Sequence, residues 1–267
     1  DESASRGEIN PGDTEEKDED AEAKYDTSSF QKGKVTLCIN KGIVEADTNV
    51  GGIVGQIATE YDFDPEDDIT LTGAESFNVE QTIKAVVRDS RNLGAVTGKK
   101  DYVGGIVGKA EYGAIISCES YGDIESTGGS QVGGIAGVNE ETGEIRRCES
   151  KASVVGNHSA GGITGSNYGV LNNCSNSGRI NTYSAEVTYD LDDITVENLE
   201  QINSTSNVAA HTDIGGIAGI SQGKIYYCSN SGAVGYQHVG YNTGGIVGRL
   251  HQGYVQNCTN TGHIQGR

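Results

Sequence analysis

Apolar residues in this chain come in short β-branched clusters, each ended by a glycine or by an Asn-x-Gly phrase, and the clusters recur. The string Gly-Gly-Ile-x-Gly starts at Gly51, Gly104, Gly133, Gly161, Gly215 and Gly244, so successive copies stand 53, 29, 28, 54 and 29 residues apart. These steps define a unit of about 28 or 29 residues, with two units enlarged by about 25. A second string, Gly-x-[Ile/Val/Leu]-x-x-Cys-x-Asn-x-Gly-x-[Ile/Val], follows each time. Its clearest copies run from Gly169 to Ile180, Gly223 to Val234 and Gly253 to Ile264. Weaker copies centre on Cys38, Cys118 and Cys148, and Ser90 replaces the cysteine in the copy from Ala85 to Val96.

Aligned on these strings, the apolar positions fall into rows. One holds Val50, Val103, Val132, Ala160, Ile214 and Thr243, and another Ile53, Ile106, Ile135, Ile163, Ile217 and Ile246. A third holds Val35, Val87, Ile115, Ile145, Leu171, Ile225 and Val255, and a fourth Val44, Val96, Ile124, Val154, Ile180, Val234 and Ile264. β-branched segments between glycine and Asn-x-Gly turns predict three strands and three corners per unit. A helical repeat is excluded, because no unit holds an uninterrupted stretch of 3.6-residue periodicity and each mid-helix glycine costs about 1 kcal/mol.

A unit this short cannot bury its apolar residues alone, whereas stacked units share one interior. The expected fold is therefore all-β, a parallel β-helix-like solenoid of about seven coils of roughly 28–30 residues with two insertions. Glycines are expected at the corners, where they permit positive φ and close backbone approach. In-register stacking spaces equivalent residues about 4.8 Å apart. Asn40, Asn92, Asn176, Asn230 and Asn260, with Ser120 and Ser150 as substitutes, should then form an amide ladder.

Composition agrees with a narrow coil: 40 Gly against 2 Pro, with no Trp or Met and 3 Phe, rule out an aromatic core. The net charge of −19 is unevenly spread. Residues 1–24, 56–89 and 181–213 carry −7 each, so the remainder sums to +2. The expected organisation is an acidic, disordered arm over 1–30 and a solenoid over 31–267 with insertions at about 56–89 and 181–213. Such acidity argues against nucleic acid and anionic lipid as partners. No apolar run approaches the roughly 18 residues of a membrane span, so no membrane insertion is expected in this segment.

The phrase GGITGSNYGVLNNCSNSGRI, Gly161 to Ile180, resembles the GLUG motif, a glycine-rich repeat of bacterial secreted and surface proteins, and the resemblance extends from Gly33 to Ile264. It implies a solenoid within a longer exported protein, adhesin-like or an accessory region of an IgA-specific metalloendopeptidase. The zinc signature of those proteases, His-Glu-x-x-His, is absent, and His158, His211, His238, His251 and His263 are isolated along the chain.

Several groups invite chemistry. Six cysteines suggest disulfides, but one shared row spaces neighbouring Cβ atoms at about 4.8 Å where a disulfide wants about 3.8 Å, so buried thiols are expected. Asp62, Asp64, Glu66, Asp67 and Asp68, and Asp190, Asp192 and Asp193, offer oxygens for calcium. An EF-hand does not fit, since Asp67 stands where Gly is needed and Gly73 where Glu is needed. The expectation there is a solvated acidic loop. Glu119 and Glu149 should stack outside beside Arg91, as a glycosidase pair or as a surface ladder balanced by Arg91, Arg146 and Arg147. Tyr226, Tyr227, Tyr236, Tyr241 and Tyr254 crowd the last coils and suit a sugar or protein face. No catalytic, cofactor-binding or metal-ligating residue is assigned, and no cofactor is expected.

The function expected is a non-catalytic secreted or cell-surface bacterial module, an adhesin-like or spacer scaffold presenting acidic loops to a host or surface protein or a glycan. A carbohydrate-active β-helix enzyme using outer-face acids and an accessory region of an exported bacterial protease are the alternatives.

Overall fold

A computed structural model describes residues 33–58, 69–73, 76–79, 85–182, 211–236 and 240–266. Within them the chain winds as a parallel β-solenoid, as expected, and the described residues include no helix. Each turn has four sides, and each side stacks into a sheet. In the second turn, Val86–Arg88 opens the first side, Arg91–Asn92 forms the second, Val96–Gly98 the third and Val103–Gly104 the fourth. The strand Val107–Ile116 then closes that turn and opens the next, and Ala136–Arg146 repeats the pattern. The four sheets contain 11, 7, 4 and 6 strands. Isolated parallel bridges through Ile180, Val234 and Ile264 extend the third.

Stacking follows the sequence rows. Val35, Val87, Ile115, Ile145, Leu171, Ile225 and Val255 are successive Cα partners. The Val44 row and the Val50 row do the same on the third and fourth sides. Four sides rather than three is a correction, and its cause is local. The second side is built from two-residue strands such as Ile39–Asn40, Glu119–Ser120 and Ser175–Asn176. Their inward position is Asn or Ser, so no β-branched cluster marks them.

The corners also differ from expectation, because non-glycine residues make them. Leu37, Asp89, Ser117, Arg147, Asn173, Tyr227 and Asn257 turn the chain from the first side to the second with φ between 50° and 57°. Asn49, Tyr102, Gln131, Ser159, Asp213 and Asn242 turn it onto the fourth side with φ between 51° and 66°. Left-handed backbone costs an L-residue about 1–2 kcal/mol, least for Asn and Asp, so the stacked hydrogen bonds on either side hold these corners. Most of the described glycines have ordinary φ and serve clearance instead. A methyl group at Gly216, the second glycine of its Gly-Gly pair, would lie 2.2 Å from the Gly245 carbonyl oxygen and 2.4 Å from Asn230 Cγ.

That clearance organises the interior. Across the lumen, Gly52 faces Asn92, Gly105 faces Ser120, Gly134 faces Ser150, Gly162 faces Asn176, Gly216 faces Asn230 and Gly245 faces Asn260. This polar wall lies between two apolar columns. One gathers the Val87, Ile106 and cysteine rows, and the other the Val96 and Val103 rows. Within the wall Asn40 Nδ2 donates to Asn92 Oδ1 at 2.8 Å, and Asn176 to Asn230 and Asn230 to Asn260 at the same distance. Ser120 and Ser150 interrupt the ladder, and neither hydroxyl has a hydrogen-bond partner among the described residues. A second ladder, not anticipated, joins Asn139 Nδ2 to Asn167 Oδ1 at 2.9 Å and Asn167 Nδ2 to Ser221 Oγ at 3.2 Å. Each of its members stands six residues after the first glycine of Gly-Gly-Ile.

The enlarged units leave the coil at different places. The first insertion interrupts the first side between Val54–Ile57 and Val86–Arg88, both of which belong to the stack, and it contains an antiparallel hairpin of Ile69–Gly73 with Ser76–Val79. The second departs after the Ile180 bridge on the third side and returns at Thr212–Gly215 on the fourth. The arm over 1–30 lies outside the described residues.

Candidate functional site

On the second side Arg91, Glu119, Glu149, Ser175, Ser229 and Thr259 form one outer column, each the Cα partner of the next. The sequence reading had Glu119 and Glu149 adjacent, and they are. Arg91 Nε lies 3.0 Å from Glu119 Oε2, and the Tyr121 hydroxyl donates to the same oxygen at 2.7 Å. Lys151 Nζ lies 3.1 Å from Glu149 Oε1 and 5.1 Å above the Tyr121 ring. The hydrogen bond to Glu119 raises the Tyr121 pKa, and that to Glu149 raises the Lys151 pKa. These contacts make a surface charge ladder. One of its cations corrects the expectation: Arg146 sits on the first side, buried, 3.8 Å from Glu144, and Lys151 pairs with Glu149. Lys151 was findable, since a residue two positions from Glu149 on a strand faces the same way.

The tyrosines do not form one face. Tyr226 and Tyr254 meet edge to face on the first side, with ring centroids 5.5 Å apart. Tyr227 occupies a corner and Tyr241 starts a fourth-side strand. Tyr236 is exposed beyond the third side. The Tyr226–Tyr254 pair stands beside Gln256, which accepts from the Tyr254 hydroxyl at 2.8 Å, and offers a continuous aromatic surface.

All six cysteines are free thiols. The Sγ of Cys148 donates to the Ile115 carbonyl at 3.5 Å and to the Arg146 carbonyl at 3.4 Å, and it accepts from the Cys118 amide at 3.4 Å. Cys174 and Cys118 repeat the two donations. Burial pushes the Cys148 and Cys174 thiols well above their usual range, so these are packing groups rather than nucleophiles.

The acidic groups of the insertions, Asp62, Asp64, Glu66, Asp67, Asp68, Asp190, Asp192 and Asp193, lie outside the described residues, as does His238. Among the described residues no group of three or more His, Cys, Asp or Glu is placed to hold a metal.

What sequence reading missed is the neck of the second insertion. Asn181, in the left-handed region, is buried; its Nδ2 donates to the Gly156 carbonyl at 2.7 Å and its Oδ1 accepts from the Gly156 amide at 2.8 Å. From the other end, His211 Nδ1 stands 3.2 Å from the same carbonyl. His158 Nδ1 lies 2.8 Å from Thr212 Oγ1. Next to it, buried Asp213 receives Arg249 at 2.6 Å and Asn242 at 2.7 Å. Both ends of the insertion are thereby fastened to the coil beneath it. No sequence signal distinguishes these residues, because the partners come from turns one step apart.

No family model matches the chain, and no solved structure matches it. Among curated proteins the chain is similar to Halomucin of Haloquadratum walsbyi (strain DSM 16790 / HBSQ001), 31% identical over 129 residues. The similarity covers 40% of this chain and 1% of that protein, so the chain spans only a small fraction of its relative.

Proposed function

We propose that the chain is a non-catalytic module of a secreted or cell-surface protein, a stiff GLUG-like stack that presents its two insertions to a host or surface protein or a glycan. The observation that carries this reading is the neck, where Asn181, His211 and Asp213 fix both ends of a 28-residue excursion (183–210) to a coil hydrogen-bonded on every side. A segment fastened in this way is displayed without loosening the scaffold. The similarity to a stretch of Halomucin supports membership of a much longer repeat protein.

Two measurements test it. Biotinylation of intact source cells with an impermeant reagent should label the chain, and recovery from the unlabelled interior would contradict an exterior role. A variant with residues 183–210 replaced by a short Gly-Ser link should keep the thermal transition of the stack. It should lose binding to the protein or glycan ligands that the full chain retains on arrays. Unchanged binding would move recognition elsewhere, and turnover of any arrayed glycan by the full chain would contradict a non-catalytic module.

A further inference from the structure

The corner between the first and second sides carries a motif that the repeat itself generates. Asparagine stands there in two of the seven turns, giving Asn173-Cys174-Ser175 and Asn257-Cys258-Thr259. Both have the Asn-x-Ser/Thr form of an acceptor for N-linked sugar. Coil geometry sorts the three positions. Asn173 and Asn257 are exposed, turned out by φ of 57° and 54°, and neither side-chain amide is held by a hydrogen bond among the described residues. The central cysteine points inward, Cys174 to full burial and Cys258 to the half-covered last turn. Ser175 and Thr259 then return to the outer column below Glu149. Amide and hydroxyl therefore face solvent together.

A third triplet, Asn157-His158-Ser159, has the opposite arrangement. Asn157 is half-buried and its carbonyl accepts from the Thr212 amide at 3.0 Å. Ser159 is itself a left-handed corner with its side chain buried. A fourth, Asn203-Ser204-Thr205, lies outside the described residues.

The geometry points to Asn173 and Asn257 as sites of N-linked oligosaccharide attachment, two rungs or about 10 Å apart on one edge of the stack, with Asn157 left bare. Transfer forms the bond between Asn Nδ2 and C1 of the first sugar and breaks the bond from C1 to the phosphate oxygen of a polyprenyl-phosphate-linked oligosaccharide donor. The phosphate leaves with the bonding electron pair, and a transferase base takes the amide proton, so no oxidant or reductant is involved. Sugars at this edge would sheathe the rod beside the Glu119–Glu149 ladder. The inference rests on the exterior reading, since such transfer takes place outside the cytoplasm.

The test is intact-mass and glycopeptide spectrometry of the full chain purified from its source cells, alongside N173Q, N257Q, T259A and T259S variants expressed there. Expected are sugar-bearing peptides at 173 and 257 and an unmodified peptide at 157. N257Q and T259A should each lose one glycan mass, and T259S should retain it. A chain that is biotinylated on intact cells yet bare at both positions overturns this inference and leaves the exterior reading standing. A chain that is bare and unlabelled overturns both. Sugar at Asn157 in place of Asn173 and Asn257 overturns the geometric argument.

Discussion

Replacing Asn176 with alanine should cost far more than the same change at Asn260, although the two side chains make matching hydrogen bonds. Asn176 is about 1% exposed and takes part in three bonds: to the Gly178 carbonyl at 3.0 Å, to Asn230 Oδ1 at 2.8 Å, and from the Gly178 amide at 3.1 Å. Each contributes about 1 kcal/mol net, and stranding the polar groups of a buried turn adds about 1–3 kcal/mol, so N176A should lose roughly 4–6 kcal/mol. For a chain of this size that lowers the melting temperature by roughly 8–24 °C. Asn260 bonds to Gly262 in the same way, and its Oδ1 accepts from Asn230 Nδ2. It is exposed on the last turn, however, where water replaces the lost partners, so N260A should cost about 1 kcal/mol. Circular dichroism during heating and urea titration measures both. Equal shifts for the two variants, or a loss below about 1 kcal/mol for N176A, would refute the buried-wall argument.

Three further outcomes follow from the same geometry. S120N should extend the Asn40–Asn92 ladder by one rung and raise stability by about 1 kcal/mol, since Ser120 Oγ has no partner among the described residues and Gly122 stands where Gly178 completes the turn of Asn176; a destabilised S120N in urea titration would show that the lumen is too narrow there. G216A should destabilise by about 3 kcal/mol or more through overpacking, whereas G42A, whose added methyl would find its nearest neighbour at 3.8 Å, should be neutral within about 0.5 kcal/mol; paired melting curves decide. Alkaline pH should unfold the chain through its thiols. Cys148 and Cys174 keep their protons when folded, while the unfolded thiols ionise near the ordinary value of 9.0. Their contribution is complete below that pH and declines above it by about 1.4 kcal/mol per pH unit for each thiol. In reductant, the urea midpoint should fall more steeply between pH 9 and 10.5 for the parent chain than for C148A/C174A, and parallel slopes would contradict the assignment.

Much of the coil was legible because each apolar row is filled by residues of one kind at one offset. The rows of Val87, Ile106, Val96 and Val103 are the walls of the two apolar columns. What escaped notice was carried by polar or context-dependent positions. The two-residue second side leaves no hydrophobic period, and the left-handed corners accept residues as unlike as Leu37, Arg147 and Tyr227 because stacking, not intrinsic preference, fixes φ there. The glycines were found and their close backbone approach held, but positive φ fell mostly to other residues, since a sequence shows that a side chain is missing without showing what fills the space. At the candidate site, the Glu119–Glu149 pair followed from the repeat register alone. The Asn181–Gly156–His211 neck joins residues 25 and 55 positions apart that share no motif, and only the closed coil brings them together.

The central claim is that turns interrupted by long insertions still stack in register, and nitroxide distances test it most directly. Asn176 and Asn230 are Cα partners although they stand 54 positions apart in the chain, so the next residues, Ser177 and Ser231, stand one rung or about 4.8 Å apart. In a C38S background, where the one thiol exposed at the first turn is removed, the S177C/S231C pair labelled with nitroxide should show strong dipolar broadening. Labels at Lys41 and Thr261, six rungs apart in the same column, should lie at about 29 Å plus the label arms. An unbroadened spectrum for the first pair, or a distance for the second far from that value, would contradict a continuous seven-turn stack.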